Sequence, residues 1–102
     1  MESKGIVQLT LITGRAQRAK LTAALATVGG LLIETIYGRG SVKASWLQGA
    51  LGFAAEEEKA IITCLISRAH ADTALQMLST DFGFNKPNTG IAFTTPVDAI
   101  SV

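Results

Sequence analysis

The sequence predicts an α+β fold with the element order β-α-β-β-α-β, and three kinds of observation predict it. Short segments rich in β-branched and aliphatic residues read as strands. Longer segments carry apolar residues at helical spacing. Glycine or proline stands at nearly every junction between them, where the chain must turn.

Ile6 to Thr13 is expected as the first strand, because Val7, Leu9 and Leu11 alternate with Gln8, Thr10 and Ile12. Gly14 breaks it. Arg15 to Val28 reads as a helix with Leu21, Ala24, Leu25 and Val28 on one face, and with Arg15, Arg18 and Lys20 on an exposed one. Gly29-Gly30 stops the helix, since glycine accepts positive φ at little cost. Leu31 to Tyr37, with Ile33, Thr35 and Ile36, is the second strand. Gly38-Arg39-Gly40 then opens a stretch without periodicity that runs to about Ala55 and is closed by Glu56-Glu57-Glu58, a solvated charge run. Lys59 to Ser67 is the third strand, and its nearly continuous apolar run from Ala60 to Ile66 places it centrally in the sheet. Ser67 is positioned to cap a second helix, whose buried stripe is Ala71, Ala74, Leu75, Leu78 and Phe82 and whose stop is Gly83. Asn85-Lys86-Pro87-Asn88-Thr89-Gly90 is dense in turn formers. Ile91 to Val97 is the last strand, and Pro96 marks an edge or a strand end. The plan is a single domain over residues 1–102 of the split βαβ, ferredoxin-like kind. It is an antiparallel sheet with two helices on one face and a long loop between the second and third strands.

Composition narrows the function. The chain has 102 residues, a net charge of +1, 48% hydrophobic and 17% charged residues, against the roughly 25% charged of an ordinary soluble domain. Aromatic residues are only 6%, so the apolar fraction is mostly Ala, Leu, Ile and Val. Such a surface is expected to bury part of itself against further copies of the chain. A near-neutral charge excludes a nucleic-acid-coating protein. The one cysteine, Cys64, is expected to pack as a small apolar side chain, and the one histidine, His70, at the start of the second helix, to be neutral and solvated. Neither a disulfide nor a zinc cluster can be built from them, and no metal is expected. A nucleophilic triad would rest on His70 alone, so the chain reads as a non-enzyme. No apolar run reaches the ~18 residues of a membrane helix and no signal-peptide pattern is present, which predicts a cytoplasmic protein.

The fold plan hosts many functions, so motifs must decide among them. An RNA-recognition module needs aromatic residues on its first and third strands to stack bases, and here those strands have none. A phosphatase of this architecture needs an Arg after the first strand, which Arg15 could supply, and an Asn on a strand; the only asparagines are Asn85 and Asn88, in a turn. Two turn motifs remain: Tyr37-Gly38-Arg39-Gly40, and Lys86-Pro87-Asn88-Thr89-Gly90-Ile91-Ala92-Phe93 followed by Pro96-Val97. In this order and on this plan, from about Ile6 to Val97, they resemble the P-II (PII) family of nitrogen regulators, above all its shorter PII-like members.

That resemblance implies a homotrimeric signalling protein. It implies that a small-molecule effector, an adenine nucleotide (AMP, ADP or ATP), binds in clefts between subunits, contacted through Gly38, Arg39, Gly40, Lys86, Asn88, Thr89 and Gly90. Glycine backbones permit close approach to a phosphate, and Arg39 and Lys86 supply charge beside it. It also implies that the loop, a mobile T-loop-like segment over residues 41–55, docks on a partner, a membrane transporter or an enzyme. The apolar Trp46, Leu47, Leu51 and Phe53 suit that contact. The chain departs from the ATP-binding members: Gly40 stands where they carry Gln, Ile91 where they carry Lys, and no arginine pair follows the last strand. The loop has no Tyr for uridylylation. A CutA-like trimeric structural or metal-associated protein of the same fold is the alternative, with a small enzyme or subunit-interface module behind it.

Overall fold

A computed structural model describes residues 5–39, 58–86 and 89–97. It contains β1 (Ile6–Gly14), a 3-10 turn (Arg15–Gln17), α1 (Arg18–Thr27), β2 (Leu31–Arg39), β3 (Glu58–Ser67), α2 (Arg68–Asp81) and β4 (Gly90–Pro96). The strands form one antiparallel sheet in the order β2-β3-β1-β4. The expected βαββαβ plan is therefore present, with the apolar third strand at the centre and Pro96 ending an edge strand.

Register explains the core. Val7 faces Ile66, Leu9 faces Cys64 and Leu11 faces Ile62, so the period of two puts all of these on one side of the sheet. Leu21 and Leu25 of α1 and Ala71, Ala74 and Leu78 of α2 pack on that side, so both helices cover the same face. Full burial of a Leu or Ile side chain contributes roughly 1.5–3 kcal/mol, which makes this face the main source of the fold's stability.

Local signals set the ends of the helices. The Ser67 hydroxyl accepts the His70 N–H at 3.2 Å, the expected N-cap of α2. The first helix has no such cap: Gly14 precedes it, and the chain enters through a 3-10 turn, so regular α-helix begins at Arg18 rather than at the expected Arg15. At the other end Gly29 takes φ +96°, and Gly30 donates to the Leu25 carbonyl at 2.8 Å. Strand β2 runs to Arg39, past the expected Tyr37, and carries an irregularity between Leu31 and Glu34. Leu32 sits there at φ +51°, a conformation that costs an L-residue roughly 1–2 kcal/mol.

The second face of the sheet carries no helix among the described residues. Its register aligns Ile36, Ile61, Ile12 and Ile91 in one row across all the strands. Phe93 lies beside Thr10 on the same face, and Ile36 and Phe93 are 58% and 45% exposed. No helix among the described residues is long and apolar enough to cross a membrane.

Candidate functional site

Antiparallel pairing brings the last residues of β1 and β2 and the first residues of β3 and β4 to one end of the sheet. Both sequence motifs therefore reach the same end. They do so on opposite edges: Gly38 is on β2 and Gly90 on β4, three strand spacings or about 14 Å apart. One copy of the chain does not join them into a single contact point.

Between them lies a residue that sequence reasoning passed over. Lys59 pairs with Gly14 on one side and with Gly38 on the other, and it is only 7% exposed. Lysine is among the residues least often buried. Neither neighbouring glycine has a positive φ, and a Cβ added at either would meet nothing within 4 Å. Among the described residues, neither backbone conformation nor packing requires glycine at either position. Their missing side chains open a slot on each side of Lys59 on the same face of the sheet. The signal was invisible in the sequence because Lys59 reads as the first residue of an apolar strand, and only the register shows what flanks it.

The other expected residues fall as follows. Gly38 and Arg39 are extended and paired, in register with Lys59 and Glu58, so they form the end of a strand rather than a free turn. Lys86 is exposed, and its N–H donates to the Gly83 carbonyl at 2.9 Å. The Thr89 carbonyl accepts the hydroxyl of fully buried Thr13 at 3.4 Å, which pins the second turn to β1. Gly90 has a packing role: a Cβ there would stand 2.7 Å from the Phe84 ring and 3.1 Å from the Ile12 carbonyl. Gly90→Ala is accordingly expected to destabilise the fold by about 1–3 kcal/mol, read as a lowered Tm in thermal denaturation; an unchanged Tm would show that Phe84 moves aside freely. Gly40, Asn88, Trp46, Leu47, Leu51 and Phe53 lie outside the described residues.

Arg15 and Tyr37 also meet at this end, with the guanidinium carbon 4.3 Å from the ring centroid. Spacing along the chain carries no sign of this pair, since β3 separates the strands that lead to them. At the opposite end, a hollow of about 200 Å³ is lined by Gln8, Leu32, Glu34, Thr63, Cys64 and Leu65. An apolar groove of about 460 Å³ between Leu31, Leu32, Ile6 and His70 adjoins it. Burial pushes the Cys64 thiol up, which keeps it neutral and unreactive. Among the described residues no group of three His, Cys, Asp or Glu could hold a metal ion.

The sequence matches no protein-family model, and no curated protein matches it. The structure does have counterparts. It is similar to a PII-like signalling protein of Thermus thermophilus, with a TM-score of 0.71 and 15% identity over 98% of this chain and 94% of that one. It is similar to CPII of Thiomonas intermedia bound to ADP, AMP and acetate, with a TM-score of 0.72 and 12% identity over 94% of this chain and 89% of that one. The ATP complex of Bacillus subtilis GlnK aligns with a TM-score of 0.60 and 15% identity over 93% and 84%. The fold is that of PII-like signalling proteins.

Proposed function

We propose that the chain is a PII-like, non-enzymatic regulator that binds an anionic small molecule, with an adenine nucleotide as its ligand class, between copies of itself. The observation that carries this reading is the Gly14–Lys59–Gly38 row, a buried cation flanked by two glycines at the end of the sheet where both motifs arrive. A phosphate or carboxylate fits such a place: it approaches the backbone closely and meets a lysine already withdrawn from bulk water. That CPII and GlnK were solved with adenine nucleotides supports the choice of ligand class.

Assembly follows from two features. The isoleucine row gives the sheet an apolar face that carries no helix among the described residues, which a second and third copy would cover. The hollows that could take an apolar base lie near Leu65, six residues along β3 from Lys59, or about 20 Å. A mononucleotide does not span that distance on one copy, so base and phosphate are gripped by different copies. Arg39, Gly40, Lys86, Asn88 and Thr89 complete the phosphate end in this reading. The segment over residues 41–55 reads the bound state out to a transporter or an enzyme, as ligand binding shifts its population of conformations.

The replacements at Gly40 and Ile91 remove cation and hydrogen-bond capacity, which favours AMP or ADP over ATP. Isothermal calorimetry on the purified protein tests this directly. Heat of binding is expected from AMP or ADP, with ATP the weaker ligand; absence of heat from all three would overturn the nucleotide assignment.

A further inference from the structure

We propose that Glu34 is a specificity-determining residue of this protein, its carboxylate selecting a base that carries an exocyclic amino group. The inference rests on the reading of the chain as a nucleotide-binding protein and adds to it which side chain recognises the base.

Three polar side chains line the hollow of about 200 Å³: Gln8 of β1, Thr63 of β3 and Glu34 of β2. Glu34 pairs with Thr63, and Gln8 pairs with Leu65, two residues further along β3. All three therefore stand on the face that carries no helix among the described residues. Leu32 and Leu65 supply the apolar lining. Among the described residues no side-chain hydrogen bond engages Gln8, Thr63 or Glu34. In a single copy water serves Gln8 and Glu34, which are exposed. Once further copies cover this face that water is displaced, and a buried polar group without a partner is costly. A flat heteroaromatic base between Leu32 and Leu65 brings the partners that water no longer supplies.

The backbone is strained to put Glu34 there. Leu31 pairs with Leu65 but Glu34 pairs with Thr63, so three steps along β2 answer two along β3. The extra residue makes a bulge, and within it Leu32 has φ +51°. In unbroken register Ile33 would face Thr63, and Glu34 would face Ile62 on the side packed by the helices. The bulge turns Ile33 inward and the carboxylate out to the hollow. Strained backbone of this kind collects at binding sites, where it aims a side chain.

Chemistry sets the selection. An ionised carboxylate only accepts hydrogen bonds, whereas the Gln8 amide and the Thr63 hydroxyl both donate and accept. Adenine offers its amino group to the first and its ring nitrogens to the others. A base without the amino group leaves the carboxylate with no donor in a space that water has left.

Calorimetry with ADP and with purine riboside 5′-diphosphate, which differs from ADP only in lacking the amino group, tests the assignment. The parent protein is expected to bind ADP about ten- to a hundredfold more tightly than the analogue. In Glu34→Ala that ratio should fall to about one through loss of ADP affinity, with the analogue bound as before. Glu34→Gln keeps one acceptor oxygen and should retain part of the ratio. Lys59→Met should weaken both ligands alike and leave the ratio in place, a split that a general loosening of the site would not give. Glu34 is exposed, so both of its variants should keep the Tm of the parent. A parent that binds both ligands equally, or a Glu34→Ala variant with the parent's ratio, would overturn the role of Glu34 and leave the nucleotide site standing. A protein that binds neither ligand would overturn both.

Discussion

Ile61→Glu is expected to leave the chain monomeric at concentrations where the parent protein, on the proposed assembly, is expected to sediment as a trimer. Ile61 lies between Ile36 and Ile12 on the face that carries no helix among the described residues, in the row that Ile91 completes, and it is half-buried even in a single copy. In an assembly that covers this face, the substitution buries an unpaired carboxylate in every subunit. The effective penalty is several kcal/mol per ion and is incurred in every subunit, which opposes assembly. In the isolated chain the same carboxylate remains in contact with water, and the core on the helical face, built on Leu9, Leu11, Ile62 and Cys64, is untouched. The variant should therefore keep the far-ultraviolet circular dichroism of the parent while sedimentation or light scattering reports about one-third of its mass. Ile61→Val, which keeps the face apolar, should assemble as the parent does. A parent that is itself monomeric, or an Ile61→Glu variant that stays trimeric, would refute the assignment of this face.

The fold was legible because each element carries its own signal. Val7, Leu9 and Leu11 alternate, Ala71, Ala74 and Leu78 repeat at helical spacing, and Ser67 caps the helix it precedes. These are local facts, and local facts survive in a single sequence. What was not legible is of two kinds. Some features depend on neighbouring side chains brought in from afar: Phe84 filling the space over Gly90, or Arg15 reaching Tyr37. Others depend on register. Lys59 looks like the polar start of an apolar strand until the pairing sets a glycine on either side of it. The irregularity at Leu32 likewise has no sequence mark, since neither glycine nor asparagine occupies the position of positive φ. The motifs at Gly38 and Gly90 reach one end of the sheet, yet they differ in kind: the first glycine meets nothing within 4 Å among the described residues and the second makes room for an aromatic ring.

That difference sets up the second large effect, loss of effector binding in Lys59→Met and Gly38→Ala without loss of the fold. Methionine keeps the apolar stem that Lys59 buries and removes only the charge. A hydrogen bond to a charged group contributes about 1.5–3 kcal/mol, so ADP affinity should fall by roughly ten- to a hundredfold. Gly38→Ala acts through space rather than charge. Among the described residues its methyl group meets no atom within 4 Å beyond its own chain neighbours and requires no change of φ, so the Tm should hold or rise slightly as the unfolded chain loses freedom. The slot beside Lys59 is nevertheless narrowed, and a ligand seated there must retreat. Gly14→Ala tests the slot on the other side by the same logic. Calorimetry with ADP, paired with thermal denaturation of each variant, separates the two contributions. Binding equal to the parent in Lys59→Met would remove the lysine from the site, and a Gly38→Ala variant with parent affinity would show that no ligand atom enters the slot. Loss of binding in the charge variant and in both glycine variants, at unchanged Tm in the glycine pair, is the pattern that only a ligand lying along the Gly14–Lys59–Gly38 row produces.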